Sequence, residues 1–342
     1  MARADLLKKL FVGYQRRDDP AFRQAAEELI VEERKKQHSI LANELERILR
    51  NGYSEQGALK RLVPMEPGPM DSERRMALIE VRQPQRYMDD LILDSRVRST
   101  VDRVMREFRE REVLEANGLM PVRRVIFCGP SGCGKTAMAE AMAAELAIPM
   151  LYVRFDAVVS SLLGETAANL RKVFDYAQRG QWILFFDEFD AIGRSRDDAT
   201  EHGEIKRVLN SFLQIVDNFD GRSLVIAATN FEQVLDPAVW RRFDEMVRFE
   251  RPGEPQLKLL ARRRLGPVSF TDVQVDRLAT SLVGASYADA ERVCLDIRKV
   301  CVMRSDRKVN DQDVEDALAR QVYRQSVLLK ALASGAPAVD RD

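Results

Sequence analysis

The segment Gly129-Pro-Ser-Gly-Cys-Gly-Lys135-Thr136 constrains this chain more than any other. It follows the apolar run Val125-Ile-Phe-Cys128 and precedes Thr136-Ala-Met-Ala-Glu-Ala-Met-Ala-Ala-Glu-Leu, a run of strong helix formers. A strand, a glycine loop and a helix in that order, with GxxxxGK[ST] spacing, make a phosphate-binding loop. Gly129, Gly132 and Gly134 let successive backbone N–H groups turn inward around phosphate oxygens. Pro130, Ser131, Cys133 and Ala137 complete the cradle. The helix N-terminus adds partial positive charge. Lys135 brings a full charge to the β- and γ-phosphates of a nucleotide, and Thr136 offers its hydroxyl to Mg²⁺.

Further strand-like runs end in polar groups. Trp182-Ile-Leu-Phe-Phe-Asp187-Glu188 places two carboxylates at the end of an apolar strand, where charge is costly unless something pairs with it. Beside a phosphate loop, Asp187 would hold Mg²⁺ directly or through water, and Glu188 would orient and polarise the attacking water. Leu224-Val-Ile-Ala-Ala-Thr229-Asn230 ends in an amide suited to the lytic water or the γ-phosphate. In Leu235-Asp-Pro-Ala-Val-Trp-Arg241-Arg242-Phe243-Asp244 the adjacent arginines are candidate arginine fingers, although an arginine pair read alone is a solvated one.

The periodicity predicts strands at Arg124–Cys128, Met150–Phe155, Trp182–Phe186, Leu224–Thr229 and Met246–Phe249. Helices are predicted over Ser95–Ala116, Lys135–Leu146, Ala167–Gln178 and Glu204–Val216. Alternating strands and helices imply a parallel sheet covered on both faces. From Pro255 onward only helices follow, at about 255–265, 273–283, 286–304 and 311–332. The expected organisation is an N-terminal helical element at 1–52, a linker at 53–85 with some extended structure near Met76–Val81, an α/β domain at 86–251, a helical domain at 252–333 and a frayed tail at 334–342. In the N-terminal element Asp19 caps and Pro20 opens a helix with apolar residues at Phe22, Ala25, Ala26, Leu29 and Ile30, resuming at Ile40, Leu41 and Leu45. One long helix and a hairpin broken near Ser39 both fit. The element would dock a partner or another copy, or pack on its own chain.

Composition narrows the function classes. With 54 basic and 54 acidic residues in 342, there is no global field to attract nucleic acid or an anionic membrane. No apolar run reaches the ~18 residues of a membrane helix. The first residues, MARADLLKKLFVGYQ, lack the apolar core of a signal peptide, so a cytoplasmic location is expected. Cys128, Cys133, Cys294 and Cys301 have no zinc spacing; Cys294 and Cys301, seven apart on one helical face, are read as core, and an unusually nucleophilic Cys133 at a helix N-terminus is an alternative to an inert thiol there.

The ordered set GPSGCGKT, FFDEFD, AATN and DPAVWRRFDE, followed by a helical region, resembles the AAA family of ATPases over about Gln85–Gln321. The resemblance implies a P-loop NTPase fold with a parallel five-stranded sheet of order 5-1-4-3-2, a helical lid, and a ring, usually a hexamer. It implies ATP with Mg²⁺ at a subunit interface. Arg242, which precedes Phe-Asp as the family's second finger does, and then Arg241 would reach a neighbour's site. Gly284-Ala-Ser-Tyr-Ala-Asp289 resembles the start of the lid helix near adenine and ribose, which implicates Ala288, with Tyr287 where the family has Gly. Leu91 and Ile92, in Asp89-Asp-Leu-Ile-Leu-Asp94, lie where the family contacts adenine. Ser160–Glu165 matches the pore loop, with Leu162 in the place of an aromatic and Leu163 and Gly164 after it; the polar loop Ser195–His202 is a second pore candidate. The function these features imply is a Mg²⁺-dependent ring ATPase that remodels or translocates a protein partner, with no nucleic acid or membrane partner. The alternative is a nucleotide-switched scaffold that regulates a separate effector such as a protease or nuclease. A DNA-acting ATPase fits the neutral charge less well.

Overall fold

Apolar runs too short for helices become neighbouring strands in the computed structural model. The structure describes residues 19–35, 67–71, 75–84, 86–158, 163–190, 201–230, 237–305 and 307–334, with a few isolated positions before residue 46. The strands are β1 (Ile79–Arg82), β2 (Arg124–Cys128), β3 (Met150–Val153), β4 (Ile183–Phe186), β5 (Leu224–Thr229) and β6 (Glu245–Arg248). They form one sheet of order β1-β3-β4-β5-β2-β6. β2 to β6 run parallel, with Val125 opposite both Ile226 and Glu245. β1 runs antiparallel to β3, with Ile79 opposite Val153. The expected sheet of five parallel strands is therefore corrected to a mixed sheet of six, whose order includes an extra edge strand. β1 forms because Leu78 and Ile79 are buried and the Arg82 guanidinium lies 3.7 Å over the Tyr152 ring. Its remaining charged residue, Glu80, suits an exposed edge.

Every residue of β4 and β5 is buried, which explains their continuous apolar sequence in place of alternation. One face is covered by α6 (Leu163–Gln178) and α7 (Glu201–Asp217) and packed with aromatic rings: Phe186 stacks on Phe174 at 5.5 Å and meets Phe212 edge-on at 5.2 Å. The other face is covered by α2 (Ser95–Arg109) and α4 (Lys135–Leu146), through Val101, Val104, Met138 and Met142. The helix expected over Ser95–Ala116 breaks at Glu110, whose φ of −95° and ψ of 15° separate α2 from α3 (Arg111–Ala116). β3 stops at Val153 because the chain turns into α5 (Phe155–Val158). α8 (Pro237–Trp240) leads into β6.

α9 (Glu254–Leu265), α10 (Asp272–Ser281), α11 (Tyr287–Arg304) and α12 (Asp311–Ser334) enclose a separate core that includes Leu257, Leu278, Ile297 and Val314. Cys294 and Cys301 lie within it, and burial pushes the Cys294 thiol up to about 12. Of the N-terminal element, the structure describes the helix α1 (Asp19–Lys35), with Ala25 and Ile30 buried; the predicted break near Ser39 and the apolar stripe after it lie outside the described residues, Leu45 excepted. Part of the stretch read as a linker is structured. Asp71 is buried and accepts a 2.6 Å hydrogen bond from Asn169 on α6, and Leu78 N–H donates to the Pro69 carbonyl at 2.9 Å.

One half-buried ion pair joins two helices of the C-terminal core. Asp313 accepts from Arg304 Nη1 and Nη2, each at 2.9 Å, and from the Asn310 N–H at 2.8 Å. The Arg304 hydrogen bonds hold its carboxyl below the ordinary value of 3.8. A depressed carboxyl stabilises the fold fully above its unfolded value and loses that contribution as pH falls through the folded one. Asp313→Ala is therefore expected to destabilise the protein by about 1 kcal/mol at neutral pH. The deficit should shrink in acid, as urea unfolding at both conditions would measure.

Candidate active site

β4, β5 and β2 are neighbours, and the three polar sequence motifs begin where these strands end. β2 runs into Gly129, β4 into Asp187 and β5 into Asn230. Register does the rest: Phe186 stands opposite Ala227, and Cys128 opposite Thr229. Residues more than 90 positions apart in sequence are thereby brought together.

The phosphate loop needs its glycines. Gly129 has φ 136°, and a Cβ there would sit 2.0 Å from the Phe249 carbonyl oxygen. Gly134, at φ 97°, opens α4 in a left-handed conformation. Lys135 is the first residue of α4 and is buried. Its ammonium donates to the Gly129 carbonyl at 2.7 Å, the Pro130 carbonyl at 3.0 Å and Asn230 Oδ1 at 2.8 Å. Burial pushes its pKa down, opposed by Cys133, Asp187 and Asp190. Thr136 Oγ1 donates to Asp187 Oδ2 at 2.9 Å. A hydroxyl and a carboxylate so close are the hard oxygen pair that suits Mg²⁺. Among the described residues there is no group of three or more His, Cys, Asp or Glu able to hold a metal on their own.

The turn after β4 sorts its residues. Asp187 Oδ1 accepts from the Glu188 N–H at 3.0 Å. Glu188 takes φ 51° and is exposed, while Phe189 is fully buried against Phe212, 4.9 Å between ring centres. Asp190, buried, accepts from Thr229 Oγ1 and the Asn230 N–H, each at 3.3 Å. The sequence reading passed over Asp190, although it is the third carboxylate of the same FFDEFD run.

Where α11 begins, it touches the phosphate loop. The Ala288 N–H donates to the Gly132 carbonyl at 3.1 Å, and Ser286 Oγ caps the helix by accepting from the Asp289 N–H at 3.1 Å. Tyr287 is half-buried, and desolvation pushes its phenol up to about 12. Leu91 packs on the sheet core and Ile92 on the C-terminal core, so that segment bridges the two. Arg263 donates to the Asp89 carbonyl at 2.8 Å beside it.

Cys133 is buried, and desolvation pushes its thiol up in spite of Lys135 and Arg251, so the alternative of an unusually nucleophilic Cys133 falls. The arginines do not join the site in their own chain. Arg242 Nε donates to Asp217 Oδ2 at 3.0 Å, and Asp217 pairs with Arg124 at 3.4 Å. Arg124 is the first residue of β2, whereas the phosphate loop follows the last. Arg242 therefore stands beside the start of β2, at the end of the sheet away from the phosphate loop. Arg241 is exposed beside it. Leu162 and residues 195–200 lie outside the described residues; Leu163 and Gly164 form the start of α6, and only their backbone is described. Among the described residues no helix is long and apolar enough to cross a membrane.

Comparison with known proteins agrees with this geometry. Residues 125–251 match the ATPase family associated with various cellular activities (AAA). The chain is 39% identical to an uncharacterized AAA family ATPase, y4kL, of Sinorhizobium fredii, over 95% of this chain and 97% of that one. It is 31% identical to the ATP-dependent zinc metalloprotease FtsH 3 of Sphaerobacter thermophilus, over 76% of this chain and 55% of the relative. It is 32% identical to the proteasome-activating nucleotidase of Methanopyrus kandleri, over 72% and 58% respectively. The chain thus spans little more than half the length of the latter two. The crystal structure of the FIGL-1 AAA domain superposes with a TM-score of 0.59 at 20% identity, covering 78% of this chain and 97% of that one, a likeness of fold. Taken with the phosphate loop and the carboxylates that close on it, these matches establish that the chain belongs to the AAA family of ATPases.

Proposed function

We propose that the protein hydrolyses ATP with Mg²⁺ at sites shared between copies in a ring, and uses the cycle to remodel or translocate a protein partner. The observation that carries this reading is the division of charge across the sheet. Lys135, Thr136, Asp187 and Asn230 gather at one end, and Arg242 stands at the other. An arginine so placed points away from its own phosphate loop, and its Asp217 pair can be exchanged for a neighbour's phosphates.

In this reading the loop from Gly129 to Ala137 wraps the phosphates, and Lys135 exchanges its carbonyl partners for phosphate oxygens. Thr136 and Asp187 would hold Mg²⁺, which supplies charge neutralisation on the phosphates when bound. Glu188, exposed at the turn, takes up the proton of the attacking water, and Asn230 orients that water or the γ-phosphate. Arg242 from the next copy, with Arg241 beside it, offsets charge developing on the transferred phosphoryl group. Leu91, Ile92 and Ala288 border the base. The helical region at 252–333 acts as a lid that reads the phosphate loop through the Ala288–Gly132 hydrogen bond. Leu162, Leu163 and Gly164 line a central pore. A hexamer is the ring size the family favours.

The names of two relatives, an ATP-dependent protease and a proteasome-activating nucleotidase, support a protein partner over a nucleic acid. The same names favour a second reading, in which nucleotide state switches a separate protease.

Glu188→Gln is expected to lower the ATPase rate by about 100-fold or more while ATP binding is kept. In that trapped state a switch should still activate its effector, and a motor should stall. Arg242→Ala mixed into wild-type protein is expected to poison the rate per subunit, and the wild-type rate should climb with protein concentration. A rate indifferent to both would overturn the shared site.

A further inference from the structure

Asp190 has no part in the mechanism above, yet it is a carboxylate only 7% exposed at the end of β5. Burying such a group costs several kcal/mol unless donors meet it. The donors here are Thr229 Oγ1 and the Asn230 N–H, both at 3.3 Å. Asn230 Oδ1 in turn accepts from the Lys135 ammonium at 2.8 Å. An asparagine has one carbonyl oxygen and one NH₂ group, so committing Oδ1 to Lys135 commits Nδ2 to other acceptors. The rotation of Asn230 therefore depends on what its backbone is fastened to.

Asp190 is itself fixed from the other side. Phe189 N–H donates to the Ala228 carbonyl at 2.8 Å, and the Phe189 ring is locked among Phe155, Phe212 and Phe243. The turn after β4 is thus stapled to the end of β5 by one backbone bond and one carboxylate. Asp190 also contributes to the field that opposes the loss of charge at Lys135.

We propose that Asp190 is a positioning residue for ATP hydrolysis, one that holds Asn230 in register with Lys135 by accepting from the end of β5. The inference rests on the reading of Asn230 given above. A mere staple between two strand ends would change stability and nothing else. A positioning residue changes kcat with little effect on ATP affinity, because a displacement of about 1 Å at a reacting group can cost about 100-fold.

The test uses the full chain with steady-state ATPase rates and the Kd of a fluorescent ATP analogue. Asp190→Ala is expected to lower kcat by about 10- to 100-fold with Kd within about threefold. Asp190→Asn keeps a carbonyl oxygen at the same place and should recover most of the rate. The double variant Asp190→Ala with Asn230→Ala should be no slower than the slower single variant, since both act through one group. If Asp190→Ala does not fold, Asp190→Glu carries the test. It keeps the charge, displaces the acceptor by one methylene, and should be the slower of it and Asp190→Asn. A native kcat in Asp190→Ala, losses that multiply in the double variant, or Asp190→Asn slower than Asp190→Glu would each overturn the inference. If Asn230→Ala itself keeps a native kcat, the reading of Asn230 falls and takes this inference with it. If Asn230→Ala is slow and Asp190→Ala is not, only the inference falls.

Discussion

A buried ammonium has to be surrounded by oxygen, and Lys135 draws its oxygens from both strands that flank it. The Gly129 and Pro130 carbonyls come from the end of β2, and Asn230 Oδ1 comes from the end of β5. That set requires β2 and β5 to be adjacent and to end level with each other, which their register provides. It also requires the chain to leave β2 through Gly129, since any side chain there would collide with the Phe249 carbonyl following β6. The same ammonium is then available to an anion that offers better oxygens. A phosphate group that displaces the two carbonyls gains a charged partner and leaves them to relax.

The two ends of the sheet hold different kinds of charge. At the strand starts, Arg124, Asp217, Arg242 and Asp244 form a partly exposed network with both signs represented. Such pairs are worth little each in water. A guanidinium held at 39% exposure by one aspartate can exchange that partner at modest cost. At the strand ends Lys135 and Asp190 are buried, and Thr136, Asp187 and Asn230 are half-buried and hydrogen-bonded to one another or to them. The seam to the C-terminal helices is intermediate. It includes the Ala288–Gly132 and Arg263–Asp89 hydrogen bonds, each worth about 1 kcal/mol net. Both bonds are small beside the helical core's own packed interior.

How much of this was legible in the sequence follows from the range of the forces involved. The phosphate loop, the strand-end carboxylates and the C-terminal helices are short-range patterns, and they stand at or within a few residues of where the periodicity put them. β1 was harder to read. Ile-Glu-Val-Arg is four residues long amid glycines and prolines, and what makes it a strand is Tyr152 and Val153 across the gap. The break at Glu110 is equally silent, because strong helix formers occupy both sides of it. At Cys133 two opposing effects compete. A helix N-terminus and two cations favour the thiolate, but desolvation outweighs them, and burial cannot be read from a loop sequence.

The Asp187–Asp190 turn shows why a single site can contain both the best-read and the least-read residues of a protein. All four side chains follow one apolar strand, yet one backbone angle decides their fates. At φ 51° Glu188 departs from the strand and stays exposed to water. The reversal that exposes it drives Phe189 back into the aromatic core and returns Asp190 beneath the end of β5. A left-handed conformation costs a residue other than glycine about 1 kcal/mol or more. The burial of a phenylalanine offsets that, at about 1.5–3 kcal/mol. The exposed carboxylate is thus held in place by the buried ring beside it, and the geometry at the phosphate loop is paid for in the core.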